Sequence, residues 1–163
     1  MNYKNLFYCL SCLSYATIVG AATYEHVAVI PQWAAAPPLS LAMFQGTYAL
    51  NSAPFWQSIH PITLLLALVS LLLFWKTARR RNIAVVLITY VVILATTFTY
   101  FVPELLSIIF TPFSETVDAS LVERAGRWET LSIIRLVVLI AMVVYLMMGL
   151  TRTERVDVGK QHS

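Results

Sequence analysis

Charge is what this chain has least of. Only 12% of its 163 residues are Asp, Glu, Lys or Arg, about half the fraction expected of a soluble domain. Residues 26–75 contain none of the four. So long a stretch without charge leaves no water-facing surface, which argues against a soluble globular fold. Cysteine is scarce too: two residues, Cys9 and Cys12, exclude a disulfide scaffold. The five glycines make no phosphate-cradling loop, and neither a Ser/His/Asp order nor a zinc-finger spacing occurs. Phosphate-loop, catalytic-triad and zinc-finger chemistries lose their residues on these grounds.

What is present is hydrophobic length. Four apolar runs cover residues 6–30, 54–75, 83–102 and 128–150, and mean hydropathy is +0.74. Each run has roughly the 20 residues with which a helix crosses about 30 Å of hydrocarbon. A helix satisfies its own backbone hydrogen bonds there, where water cannot. The sequence therefore predicts an all-α fold, one four-transmembrane-helix bundle spanning residues 1–163. An apolar outer loop (31–53), a polar outer loop (103–127) and a tail (151–163) complete it. The lipid bilayer is the expected partner, and the layout is compatible with a homo-oligomer.

Orientation follows from the cations. Lys4, Lys76, Arg79, Arg80, Arg81, Arg152, Arg155 and Lys160 fall on one side, eight of the eleven Lys and Arg. The positive-inside rule makes that side cytoplasmic, with both termini. Six of the eight acids fall on the other side: Glu25, Glu104, Glu115, Asp118, Glu123 and Glu129. The net charge of +3 thus reflects topology, and no nucleic-acid partner is needed to explain it. Small size and simple topology suit a bacterial inner (plasma) membrane. Gly20-Ala21-Ala22 mimics a signal-peptide cleavage site, yet the apolar run continues to Ile30, beyond a usual signal core. An uncleaved first span is expected.

The outer loop 31–53 is rich in Ala, Pro and aromatics. Trp33, Phe44, Tyr48, Phe55 and Trp56 are expected in the interfacial zone, with residues 39–48 as a short interfacial helix. The loop reads either as a membrane-hugging connector or as a lid over the polar residues beneath it. Ser52 is the expected N-cap of the second helix, with Pro54 in its first turn and Pro61 kinking its interior. If the third helix runs past Pro103 to Phe110, Glu104 faces the bundle or the interface; otherwise it is a loop acid. Asp118 or Ser120 is expected to cap a short amphipathic helix leading into the last span.

Six ionisable side chains, Glu25, His26, His60, Glu104, Glu129 and Arg135, lie at one depth near the outer ends of the spans. Charge in or near hydrocarbon is costly unless paired or hydrated, so these are the candidate site. Helical rise places Glu25 and Arg135 at matching depths, where an ion pair between first and last spans is geometrically reasonable. Such a pair reads either as a register-setting contact or as part of a site. His26, His60, Glu104 and Glu129 are of ligand types that suit iron, manganese, zinc or copper, although the Glu-x-x-His spacing of di-iron bundles is absent. The other reading makes both histidines packing or proton-handling residues, so a transition metal and no cofactor both stand. Cys9-x-x-Cys12 lacks the neighbouring cation that activates a thiol and reads as two small apolar residues. Ala16 and Gly20 have the small-xxx-small spacing of close helix contact.

Gly20-Ala-Ala-Thr-Tyr-Glu25-His26, a proline-limited outer connection, and Arg127-Trp128-Glu-Thr-Leu131-Ser-Ile-Ile-Arg135 together resemble the anthrone-oxygenase-like family of small four-helix membrane proteins. In that family's last-span motif an Asn often stands at the position of Ser132. The resemblance implies oxidation of a lipophilic, aromatic substrate entering from the membrane. By matching position it implicates Glu25, His26, Trp128 and Arg135, with Trp128 on the cofactor- or substrate-binding side. His60 joins them from the residue reading as a second ligand or proton carrier. From a different class, the same residues suit a non-catalytic accessory protein or a small proton-linked transporter.

Overall fold

A computed structural model describes residues 3–152. Helix α1 (Tyr3–Tyr24) runs through a π-helical turn (Glu25–Val29) into α2 (Ile30–Ala34). A loop holding a 3-10 turn (Leu39–Phe44) leads to α3 (Ala53–Leu73). Helix α4 (Arg80–Thr96) runs through a second π turn (Thr97–Phe101) into α5 (Val102–Ile109). Helix α6 (Ala119–Met148) closes in a 3-10 turn (Gly149–Thr151). The resulting rods, Tyr3–Ala34, Ala53–Leu73, Arg80–Ile109 and Ala119–Thr151, are each long and apolar enough to cross a membrane. The fold is therefore the all-α, four-span architecture expected, without a strand among the described residues. Arg155, Lys160 and most of the expected tail 151–163 lie outside the described residues.

Two rods outrun their apolar segments by passing through a proline. Proline lacks an N–H and crowds the carbonyl four residues before it. Immediately upstream of Pro31 and of Pro103, the helix widens: Ile30 N–H reaches back to the Glu25 carbonyl, and Val102 N–H to that of Thr97. A π turn of this kind absorbs the misfit, so the helix continues. Pro61 sits inside α3 without interrupting it.

The last rod begins at Ala119 as one continuous helix instead of a short helix followed by a span. Asp118 is its cap, accepting from the N–H groups of Ser120 (2.8 Å) and Leu121 (3.4 Å) and from the Ser120 hydroxyl (2.7 Å). The Ser120 bonds hold the Asp118 carboxyl below the usual carboxylate range. A depressed pKa stabilises the fold above the unfolded value, near pH 4, and the contribution is lost as pH falls further. Asp118→Ala should therefore speed amide exchange in the first turn of α6 at neutral pH, whereas Asp118→Asn should keep the cap and lose the acid dependence. At α3 the capping oxygen differs from expectation: Asn51 Oδ1 accepts from Ala53 N–H (3.1 Å), and the Ser52 side chain makes no cap bond.

Two cores stack along the bundle. The one toward the Lys/Arg-rich end, called inner after the sequence expectation, gathers Tyr8, Tyr15, Phe74, Val86, Tyr90 and Val143, and the opposite one, called outer, gathers Ile30, Trp33, Leu41, Phe101, Ile108 and Trp128. Trp33 and Leu41 belong to the apolar loop and are buried, and Asp118 N–H bonds the Pro37 carbonyl (3.0 Å), tying the loop to the start of α6. The loop is thus a plug over the outer core, because the ends of α5 and α6 give its side chains apolar surface to cover. Tyr48, by contrast, is fully exposed. The Ala16–Gly20 spacing does not mark a close contact at Gly20, where an added methyl group would meet nothing within 4 Å. The first span instead packs through Tyr8, Cys12, Tyr15, Ile18 and Ala22. Cys9 is exposed, Cys12 is buried, and both are free thiols.

At the opposite end Arg79 lies across the last turn of the final rod. Its guanidinium donates to Asn5 Oδ1 (2.8 Å) and to the carbonyls of Leu150 and Arg152 (both 3.3 Å). A cation at open C-terminal carbonyls is favourable both as a donor and against the helix dipole. Asn82 donates to the Tyr145 carbonyl (2.8 Å) and Tyr8 to that of Leu146 (2.6 Å). The start of the first rod, the Lys/Arg-rich link and the end of the last rod therefore meet at one end of the bundle.

Candidate functional site

Glu25 opens the first π turn, and its Oε1 accepts from Trp56 Nε1 at 3.0 Å. One helical turn on, His60 stacks on the Trp56 ring, with centroids 5.4 Å apart and planes at 23°. His60 Nδ1 shares a 2.6 Å hydrogen bond with the Tyr90 hydroxyl. The Tyr90 ring in turn meets Tyr15 edge-on at 4.9 Å. A continuous side-chain chain, Glu25–Trp56–His60–Tyr90, thus links the first three rods. Trp56 and His60 are four residues apart, about 40° in phase, which places them on one face of α3.

Arg135 comes to the same region from α6. Its guanidinium donates to Thr97 Oγ1 in the second π turn (3.0 Å) and to Ser132 Oγ (2.9 Å), and it lies 4.1 Å from the Phe101 ring centre. Glu25 and His60 are both within its electrostatic reach. The expected Glu25–Arg135 ion pair is nevertheless not made: the ion pairs among the described residues are Arg124–Glu104 and Arg127–Glu123. Glu25 is engaged by Trp56, and Arg135 is held by the two hydroxyls over Phe101.

The remaining candidates go elsewhere. His26 Nδ1 bonds the Ala22 carbonyl of its own helix (2.7 Å), and its Nε2 is buried without a hydrogen-bond partner among the described residues. Because the third rod continues past Pro103, Glu104 faces α6 and not the histidines. Arg124 grips it with both prongs, Nε to Oε1 at 2.8 Å and Nη2 to Oε2 at 3.0 Å, and reaches the Ser107 hydroxyl as well. Glu129 is half-buried and makes no hydrogen bond or ion pair among the described residues. Trp128 is packed into the outer core, its N–H on the Phe101 carbonyl (2.9 Å). Consistent with these placements, the described residues hold no group of three or more His, Cys, Asp or Glu arranged for a metal. His26, His60, Glu104 and Glu129 do not assemble as one ligand set.

A double-mutant cycle should register this rearrangement. Glu104→Gln with Arg124→Gln should give a coupling of about 1 kcal/mol, a bidentate pair discounted because the side chains are 26% and 34% exposed. Glu25→Gln with Arg135→Gln should couple by less than about 0.5 kcal/mol, as groups without direct contact do. Unfolding in mixed micelles reads both.

Tyr90, Thr97 and Trp56 join the site only through the structure. Tyr90 left a signal, a phenol in the middle of the third apolar run. Thr97 left none, since threonines in such runs usually bond their own helix. Compared with known proteins, the chain matches no family model, no curated protein and no solved structure.

Proposed function

We propose that this polytopic integral membrane protein is an oxidoreductase acting on a lipophilic phenol or its carbon-acid tautomer, at the Glu25–Trp56–His60–Tyr90 chain beside Arg135. One observation carries the reading. Arg135 is a cation between apolar helices, held by hydroxyls and an aromatic ring, with no carboxylate of the described residues within ion-pair distance. A membrane charge without a contacting counter-ion is costly, and an anionic ligand relieves that cost. His60 or Glu25 would take the proton from the substrate, and Arg135 would stabilise the resulting enolate or phenolate. With dioxygen as co-substrate the balance closes: a CH2 group becomes C=O with one oxygen atom, and its two hydrogens leave with the other as water. The likeness to the anthrone-oxygenase-like family supports the same reaction class. The positive-inside rule puts the site toward the outer leaflet of a bacterial inner membrane, with both termini cytoplasmic.

The second reading is a non-catalytic accessory protein or proton-linked transporter. It is favoured by the way Glu25, Trp56, His60 and Tyr90 satisfy one another, as a network that fixes helix register would. Oxygen uptake by the chain in nanodiscs, supplied with a hydroxylated anthrone, separates the two. Substrate-dependent uptake is expected, with His60→Ala abolishing it while helicity is unchanged. Arg135→Gln should weaken binding of the phenolate about tenfold, the loss of one charge-assisted hydrogen bond. Uptake no greater than in empty nanodiscs would sink the oxidoreductase and leave the network reading.

A further inference from the structure

The Lys/Arg-rich end of the bundle carries a cleft that plays no part in the site above. It is an open depression of about 510 Å³, lined by Lys4, Leu72, Leu73, Trp75, Lys76 and Thr77. It lies between the first turn of α1 and the end of α3, where the chain leaves the apolar segment for the cationic link. Its walls divide by chemistry. Leu72 and Trp75 are more than half exposed, in a rod apolar enough to cross a membrane or directly after it, so they offer apolar surface that an acyl chain can cover. Lys4 and Lys76 are the two cationic residues lining the same cleft. Thr77 donates its hydroxyl hydrogen to the Phe74 carbonyl (3.0 Å), which leaves the oxygen as an acceptor for a headgroup hydroxyl. The Trp75 ring is held by Arg80, whose guanidinium carbon is 5.3 Å from the ring centre, so this wall is braced.

We infer that this cleft is a binding site for one anionic phospholipid, the phosphodiester between Lys4 and Lys76 and an acyl chain along Leu72 and Trp75. The occupant is a lipid and not a free anion, because half of the lining is apolar surface that a phosphate alone would leave bare. A Lys ammonium group set directly against the phosphodiester is expected to add about fivefold to affinity. A diffuse field would be insensitive to which cation is removed. A cleft is not, and that difference makes the inference testable.

The experiment is native mass spectrometry of the full chain released from detergent, titrated with phosphatidylglycerol and, separately, with phosphatidylcholine. One phosphatidylglycerol should bind in preference to phosphatidylcholine. Lys4→Gln and Lys76→Gln should each weaken it about fivefold, and the pair about thirtyfold. Arg81→Gln removes the same charge from an exposed position outside the lining and should change binding less than twofold. Circular dichroism of each variant verifies that the bundle is intact. Equal losses from Arg81→Gln and Lys76→Gln would overturn the cleft in favour of a diffuse field. Equal uptake of the two lipids, or displacement of phosphatidylglycerol by millimolar inorganic phosphate, would overturn it as well.

Discussion

Trp128→Ala is expected to destabilise the bundle by about 3 kcal/mol. Trp128 is 5% exposed and meets Trp33 at 5.7 Å and Phe101 at 6.0 Å, both edge-on. Its N–H bonds the Phe101 carbonyl at 2.9 Å. Truncating a buried Trp costs about 3–5 kcal/mol in water-soluble proteins, part of it transfer to water and part the cavity left behind. Between helices in a bilayer the transfer part shrinks, because lipid tails are as apolar as the core. The lost dispersion contacts and the lost indole hydrogen bond remain, which sets the expectation at the lower end. Trp128→Phe divides the two contributions. It keeps a ring against Trp33 and Phe101 while removing the N–H, and should cost about 1 kcal/mol. Reversible unfolding in mixed micelles, followed by circular dichroism, measures both. A loss under about 1 kcal/mol for Trp128→Ala would show that the apolar loop does not pack on the outer core as described, since Trp33 would have lost its main aromatic neighbour without effect.

The four spans were legible because their signal is long and one-dimensional: an apolar run of membrane thickness needs no partner to be recognised. Depth is a coarser guide. Helical rise put Glu25, His26, His60, Glu104, Glu129 and Arg135 at one height; of these, Glu25 and His60 share Trp56, while His26 bonds its own helix and Glu104 bonds Arg124. Partnership was not legible, because it depends on rotation about each helix axis as well as on height. The π turns make this worse. Each inserts an extra residue into the helix, turning everything beyond it by about 100° relative to a regular helix. Glu25 sits in one such turn and Thr97 in the other, so the expected Glu25–Arg135 contact became two separate contacts, Glu25 with Trp56 and Arg135 with Thr97. Continuity past Pro103 likewise decided the partner of Glu104. A proline alone leaves a helix free to stop or to widen, and here it widens, which carries Glu104 onto α6 and within reach of Arg124. The apolar loop was legible in composition but not in placement. Residues with no charge can lie on a bilayer or plug a bundle, and only the neighbouring ends of α5 and α6 decide which.

Gly149→Ala should cost about 3 kcal/mol, and Tyr8→Phe should recover much of that cost. The methyl group added at position 149 would overlap the Tyr8 hydroxyl oxygen and stand 3.2 Å from both Tyr8 Cζ and Asn82 Cβ. None of these neighbours can retreat. The Tyr8 hydroxyl is bonded to the Leu146 carbonyl at 2.6 Å, its ring packs edge-on against Phe74 at 5.5 Å, and Asn82 is bonded to the Tyr145 carbonyl. Overpacking of a rigid contact costs about 1–3 kcal/mol, and a contact held on both sides belongs at the upper end. Tyr8→Phe alone removes one buried hydrogen bond and should cost about 1 kcal/mol. In the double variant the overlapping oxygen is gone, so the combined loss should fall below the sum of the single losses by at least about 1 kcal/mol. Additive losses would mean that the clash is taken up elsewhere, through a shift of the Gly149–Thr151 turn. That shift would carry the Leu150 and Arg152 carbonyls away from Arg79, and Arg79→Gln would then cost nothing further in the Gly149→Ala background. The cycle therefore measures whether the end of the last span is anchored by the first span or by the cationic link.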